Sequence, residues 1–350
     1  MAALSNSLAA ALLVSSVAAA PGASPPATSA SDFEVRKSAP GVVRWFDFDS
    51  DAQLGSKAYG SNFGVLKGDK TSPVIDKTVK ASGAGSLRFD LESYTASNGA
   101  GAWYANFSKD LSVQFGENSE FYVQWRQRFN RAFVDTYFTE DWGDGKIHPQ
   151  GGTKQIIVTT GDQPKRIFNS CEAIEVVVTT YYQQRLPIAY NSCTGSTSHP
   201  AYSPFYEKLP AADFRLQNGT APYCLYSNSG DDKTGVGPGC FGWVPDEWMT
   251  FQIGVTLGPR DNSKGEFLES RVRLWGAREG QRSVLLVDWK PGIPGYFPLT
   301  AGPATDNQRF GKVWLLPYMT NKNHKQAHPL AQTWYDDLII STQRIADPAR

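Results

Sequence analysis

The sequence predicts an all-β protein in which two antiparallel sheets pack as a sandwich or jelly roll. Three observations lead there. Short strand-like runs recur along most of the chain, separated by clusters of Gly, Pro, Asn and Asp. No stretch sustains a long helical period. The run 121–129 (Phe-Tyr-Val-Gln-Trp-Arg-Gln-Arg-Phe) alternates with the period of two that a half-buried strand requires.

The N-terminus is set apart by composition. Residues 8–20 form an apolar, small-residue run ending in Ala18-Ala19-Ala20, which fits a cleaved secretory signal over residues 1–20. The run is too short to span a bilayer, and no later segment is long and apolar enough to do so. Residues 21–32 are Pro-, Ala-, Ser- and Gly-rich and read as a flexible leader. A secreted, extracellular and monomeric protein is expected, with one domain over 33–350, because no linker interrupts the pattern there.

Within that domain the strand candidates, in order, are 42–48, 85–91, 102–107, 121–129, 154–160, 174–182, 248–257, 269–277, 283–290, 312–318 and 333–341. Strand 121–129 puts Phe121, Val123, Trp125 and Phe129 on a face suited to a core. Tyr122, Gln124, Arg126 and Arg128 fall on the other. Guanidinium groups grip carboxylates with paired hydrogen bonds, so this second face suits an acidic or polyhydroxylated ligand, or else is a solvated sheet surface. The aromatic runs at 45–48 and 334–335 place the first and last strands side by side. Their clustered acids, Asp47, Asp49, Asp336 and Asp337, either hold a structural calcium ion or cap turns and strand ends.

The region 186–245 is long, irregular and Pro-, Tyr-, Ser- and Gly-rich. It reads as an elaboration that walls a cleft at the sandwich rim, or as a stapled insertion. It carries Cys193, Cys224 and Cys240; the fourth cysteine is Cys171. An even count in a secreted chain suggests disulfides, in any of three connectivities, with nearest-neighbour pairing stapling two loop excursions. No Cys-x-x-Cys occurs, so zinc or redox chemistry is not expected. Asn106-Phe107-Ser108 and Asn218-Gly219-Thr220 are glycosylation sequons.

Charge and motifs exclude several functions. The 34 basic and 34 acidic residues leave no global field to draw in nucleic acid or an anionic membrane. There is neither a nucleophile elbow nor a phosphate loop. An aromatic share of 13%, with 10 Trp and 15 Tyr, supplies flat faces on which sugar rings stack, although most of them belong to the core.

The 121–129 strand, the run Gly151-Gly152-Thr153-Lys154-Gln155-Ile156-Ile157, and the C-terminal block 314–322 followed by Trp334-Tyr335-Asp336-Asp337-Leu338 together resemble the concanavalin A-like jelly rolls of secreted polysaccharide lyases, among them heparinase-type, glucuronan and alginate lyases. Three departures stand out. The Arg-x-Glu-Leu-Arg strand of the alginate lyases is absent, their Gln-x-His strand has no histidine here, and the 318–322 segment only echoes their Tyr-Phe-Lys-x-Gly run.

What the resemblance implies is β-elimination on an acidic, uronate-containing extracellular polysaccharide, without a cofactor. That reaction needs a cation or donor against the C5 carboxylate, a base for the C5 proton and an acid for the leaving oxygen. Tyr318, Lys154, Arg126, His148 and Lys322 are the expected catalytic groups. Gln124, Arg128, Gln155, Tyr181, Trp248 and His324 are the expected substrate contacts. Regular alternation puts Lys154 with Ile156 and Val158, and Gln155 with Ile157 and Thr159. Only one of Lys154 and Gln155 can then face the cleft; Lys154 is favoured because an ammonium suits an acidic sugar.

Two other readings compete. A glycoside hydrolase on the same fold needs two carboxyl groups flanking the bond. Glu172 and Glu175 are spaced wrongly for one strand face, leaving Glu175 with Asp141, Asp144, Asp246 or Glu247. A noncatalytic lectin would use Trp142, Trp243, Trp248, Tyr181 and Tyr182 as stacking platforms.

Overall fold

The structure is a computed structural model. It describes residues 32–56, 60–170, 174–181, 186–192, 241–292, 296, 298–300 and 309–349. The expected signal and nearly all of the leader, the four cysteines, Glu172, Tyr182, Asn218 and most of region 186–245 lie outside the described residues.

The described chain runs α1 (Asp32–Lys37), β1 (Val42–Phe46), β2 (Phe63–Leu66), β3 (Val74–Asp76), β4 (Ser86–Leu91), β5 (Ala102–Asn106), β6 (Ser119–Phe129), α2 (Arg131–Asp135), β7 (Thr139–Glu140), β8 (His148–Pro149), β9 (Gly152–Thr160), β10 (Glu175–Tyr181), β11 (Leu186–Ser192), β12 (Met249–Leu257), β13 (Arg260–Asp261), β14 (Glu266–Phe267), β15 (Arg271–Ala277), β16 (Val284–Trp289), β17 (Leu299–Thr300), β18 (Phe310–Tyr318) and β19 (Ala331–Ser341). Each strand expected from the sequence is present, with ends within two residues of the reading. Within the two main sheets, strands β2, β3 and β11 were not foreseen, nor were the two-residue strands β7, β8, β13, β14 and β17 outside them. β2 contains Gly64 and β3 is three residues long, so neither carries a usable alternation. β11 contains Pro187, which its place at a sheet edge tolerates.

Two antiparallel sheets make the jelly roll. The first has the order β16-β15-β12-β6-β19-β4-β3, with β1 beside β19; the second has the order β11-β10-β9-β18-β5-β2. The termini pair as expected, Trp45 opposite Ile339 and Phe46 opposite Leu338. The inner faces meet in one core. Phe121, Val123, Trp125, Phe129, Phe251, Ile253 and Ile340 of the first sheet pack with Ile156, Val158, Val176, Val178, Val313 and Leu315 of the second. Each such side chain stabilises the fold by about 1.5–3 kcal/mol.

A polar network also bridges the sheets through this core. Gln127 donates to Gln155 Oε1 at 2.6 Å and to Thr333 Oγ1 at 3.0 Å, while the Tyr335 hydroxyl donates to the Gln155 carbonyl at 2.8 Å. Burial pushes the Tyr335 phenol well up. The network is satisfied internally and fixes the register of the two layers.

The outer face of the first sheet is covered. Phe33 of α1 and Ile345 of the C-terminal segment pack on Tyr122, Trp275 and Ile339. Beneath α1, Arg36 donates to Asp337 at 2.7 Å and to Gln124 at 2.6 Å. A bulge between Asp336 and Ile339, with Asp337 at φ 50, turns both carboxylates outward. Three of the acids considered for calcium, Asp49, Asp336 and Asp337, are occupied in holding chain together. Asp336 accepts from the Ala81 and Ser82 amides, Asp337 from Arg36 and Ser82, and Asp49 from the Gly85 amide. Among the described residues no cluster of three or more His, Cys, Asp or Glu is arranged to hold a metal ion. No helix among them is long and apolar enough to cross a membrane.

Candidate functional site

The outer face of the second sheet carries the grouping with most chemical content. Strand pairing sets it in rows. Asn106, Lys312, Thr159 and Glu175 stand side by side across β5, β18, β9 and β10. Next come Tyr104, Trp314, Ile157 and Val177, and further along Tyr318, Lys154 and Thr179. The apolar members form a second cluster, with Tyr190 and Leu316, on which Tyr318 packs half-buried.

A bulge decides which side chain of β9 reaches this face. Lys154 lies opposite Thr179 and Ile156 opposite Val178, so Gln155 is an extra residue. The slip puts Lys154 on the face of Ile157 and Thr159 and turns Gln155 into the core. Regular alternation grouped Lys154 with Ile156 and Val158; the bulge corrects that grouping. Gln155 is therefore a member of the inter-sheet network and not a substrate contact.

Lys154 and Tyr318 meet. The Lys154 ammonium stands over the Tyr318 ring, 5.1 Å from its centroid. Burial pulls the Lys154 pKa below its ordinary value, opposed by the charge of Glu175. Glu175 is fully buried and accepts from Ser170 Oγ at 3.0 Å. At the other end of the face Lys312 is ion-paired with Asp162, which also accepts from Asn106 Nδ2 at 2.8 Å. That bond and its burial make Asn106 a structural residue rather than a glycosylation site.

The rim beyond Lys154 and Tyr318 gathers three more of the expected residues. Glu140 of β7 pairs with His148 of β8 and bridges to Lys322. His148 lies face to face on Trp142, with ring centroids 3.7 Å apart, and meets Asp144 at 2.9 Å. Lys322 is buried and donates to the Thr95 carbonyl at 2.8 Å; desolvation lowers its pKa to about 8. Its ammonium is committed to the Thr95 backbone, which ties the rim together, and does not meet Tyr318 as Lys154 does. His324 is exposed, 3.9 Å from Asp141.

The first-sheet candidates are elsewhere. Arg126, Gln124 and Arg128 project from β6 on the side opposite Trp125, onto the outer face of the other layer. Arg126 faces Asp337 at 3.9 Å and Glu279 at 3.6 Å, and Arg128 faces Asp246 at 3.5 Å. Gln124 is buried between Arg36 and the Ala346 carbonyl. The whole sandwich separates them from Lys154 and Tyr318, so a single trough holding Arg126 with Tyr318 does not exist. Trp248 and Trp243 are buried, Trp243 packing edge-on against Phe129 at 4.4 Å, so neither is an open platform. The side chain of Tyr181 lies outside the described residues.

Sequence reasoning missed Thr179, which stands opposite Lys154, and Glu140, which organises the rim. The face shared by Glu175 and Thr179 was legible from β10. Glu140 gave no signal, because a two-residue strand has no periodicity to read.

No family model matches the chain, and no curated protein matches it. Among solved structures it is similar to the PL-14 alginate lyase of Aplysia kurodai, at 9% identity and TM-score 0.44, covering 77% of this chain and 87% of that one. It is similar to the cellulose-induced protein Cip1, at 12% identity and TM-score 0.42, covering 87% and 99%. It is also similar to an alginate lyase of a Chlorella virus, at 11% identity and TM-score 0.41, covering 86% and 99%. Such identities leave the site to be read from its own side chains.

Proposed function

We propose that this protein is a secreted polysaccharide lyase that cleaves a uronate-containing glycan by β-elimination, with Lys154 and Tyr318 at the reacting centre. The observation that carries this reading is their juxtaposition at paired positions of β9 and β18, one ammonium over one phenol. The Lys154 ammonium sets its charge against the C5 carboxylate and the enolate that develops from it. As general base Tyr318 takes the C5 proton on its phenolic oxygen; the freed electron pair forms the C4–C5 double bond, the C4–O bond breaks, and the same residue returns the proton to the leaving oxygen. Export by the apolar run at residues 8–20 belongs to this reading.

A hydrolase is less well supported. Among the acids considered as partners for Glu175, Asp141 faces Lys325 and His324, Asp144 holds His148, Asp246 faces Arg128 and Glu247 faces Arg278. Incubation with glucuronan, alginate, pectate and glycosaminoglycans tests the proposal, followed by the ultraviolet absorbance of an unsaturated uronate. A lyase generates that absorbance on at least one of them. New reducing ends without it would mean hydrolysis, and binding without either product would mean a lectin.

A further inference from the structure

We propose that Trp142, on the loop between β7 and β8, is a pyranose-stacking subsite that holds the polysaccharide some way from Lys154 and Tyr318. The inference rests on the lyase reading for what happens at that pair, but binding at Trp142 can be measured without it.

Trp142 is 59% exposed, yet its ring is held on two sides. Its indole Nε1 donates to Glu140 Oε2 at 2.5 Å, and one face lies on the His148 imidazole at 3.7 Å with 10° between the planes. Asp144 holds the imidazole through Nε2 at 2.9 and 3.1 Å, and accepts from the Lys146 amide at 3.0 Å. Side-chain entropy is therefore lost before a ligand arrives, which lowers the cost of binding. Around the loop there is room: a Cβ added at Gly143 or Gly145 would meet nothing within 4 Å. A rigid, open aromatic face next in sequence to Asp141, which itself meets Lys325 at 3.2 Å and His324 at 3.9 Å, suits a sugar ring, whose C–H face is apolar and whose edge carries hydroxyls.

The platform is tied to the strands of the proposed reacting centre. The other oxygen of Glu140 accepts from Gln150 Nε2 and from the Gly151 amide, both at 3.0 Å. Gln150 Nε2 also donates to the Gly152 carbonyl at 3.1 Å and the Thr320 carbonyl at 3.2 Å. One carboxylate thus joins the indole to the start of β9 and the end of β18. From Gln150 to Lys154 the strand advances roughly 13 Å, so only a chain several sugars long reaches both places. On this account His148 supports the indole as a positioning residue and takes no part in proton transfer.

Two measurements test the subsite. The first compares W142A, W142F and H148A with the parent on oligosaccharides of increasing length from the cleaved polymer. W142A and H148A should raise KM on long chains about three- to tenfold while kcat moves less than about twofold, and W142F should recover most of the loss. A W142A variant with the parent's KM at every length, or a collapse of kcat in H148A, would overturn the assignment. The second is electrophoretic retardation of Tyr318→Phe, with and without W142A, in gels cast with glucuronan, alginate, pectate or a glycosaminoglycan. Retardation that depends on Trp142 supports the subsite even if the parent forms no unsaturated product, in which case only the lyase reading fails. Retardation indifferent to Trp142, or absent in every gel, removes the subsite.

Discussion

Lys154 and Lys322 are both drawn toward neutrality by burial, yet they do different work. Lys154 faces Tyr318 with its ammonium over the ring, and its pKa lies below that of a free lysine. The positive charge at the reacting centre is lost as pH rises through that lowered pKa. The alkaline limb of the rate profile should therefore begin below 10.5, the ordinary lysine value. Lys154→Arg, whose charge does not titrate in that range, should keep measurable activity and carry the limb to higher pH, whereas Lys154→Met should lose most activity throughout. Rate profiles of the three proteins on one substrate check this; a limb that does not move in Lys154→Arg would remove Lys154 from the reaction. Lys322 is bound instead to the Thr95 carbonyl with a pKa near 8. Its folded pKa is depressed, so the unfolded chain holds more protons between pH 8 and 10.5 and the parent gains stability as pH rises through that window. The stability of Lys322→Met relative to the parent should accordingly fall across it, as denaturant midpoints at a series of pH values will report.

At the scale of single elements, the buried pair of Arg36 with Asp337 fastens α1 to the bulge of β19. Arg36→Ala strands a carboxylate that is fully buried, and the Gln124 side-chain oxygen loses its donor as well. A loss of about 3–5 kcal/mol is expected in equilibrium unfolding. Activity per folded molecule should not change, because α1 lies on the face away from Lys154 and Tyr318. The strands themselves were legible in the sequence, since alternating burial writes itself into residues such as Phe121, Val123 and Trp125. Bulges were not. Nothing in Lys154-Gln155-Ile156 announces that one residue is extra; only the pairing with β10 and β18 shows it. The same blindness hid the turn of Asp337 toward α1 and of Asp336 toward the Ala81 and Ser82 amides, and left their role divided between calcium binding and capping.

For the whole molecule, sequence reasoning recovered the layers but not which layer each candidate faces. A polar side chain opposite a core position must point outward, and Arg126 and Lys154 both do. A two-layer sandwich has two outward directions, however, and a local pattern does not say which sheet a strand joins. Arg126 belongs to β6 in one sheet and Lys154 to β9 in the other, so the arginine ridge and the lysine–tyrosine pair look away from each other. Placing the chemistry on the β9–β18 face is the central claim. Formation of the unsaturated uronate product by folded Tyr318→Phe and folded Arg126→Ala, each against the parent, tests it most directly. Tyr318→Phe should fall by about 10²- to 10⁴-fold, as expected for loss of a general acid–base group, while Arg126→Ala keeps the parent's rate. A collapse in Arg126→Ala beside an unimpaired Tyr318→Phe would contradict it.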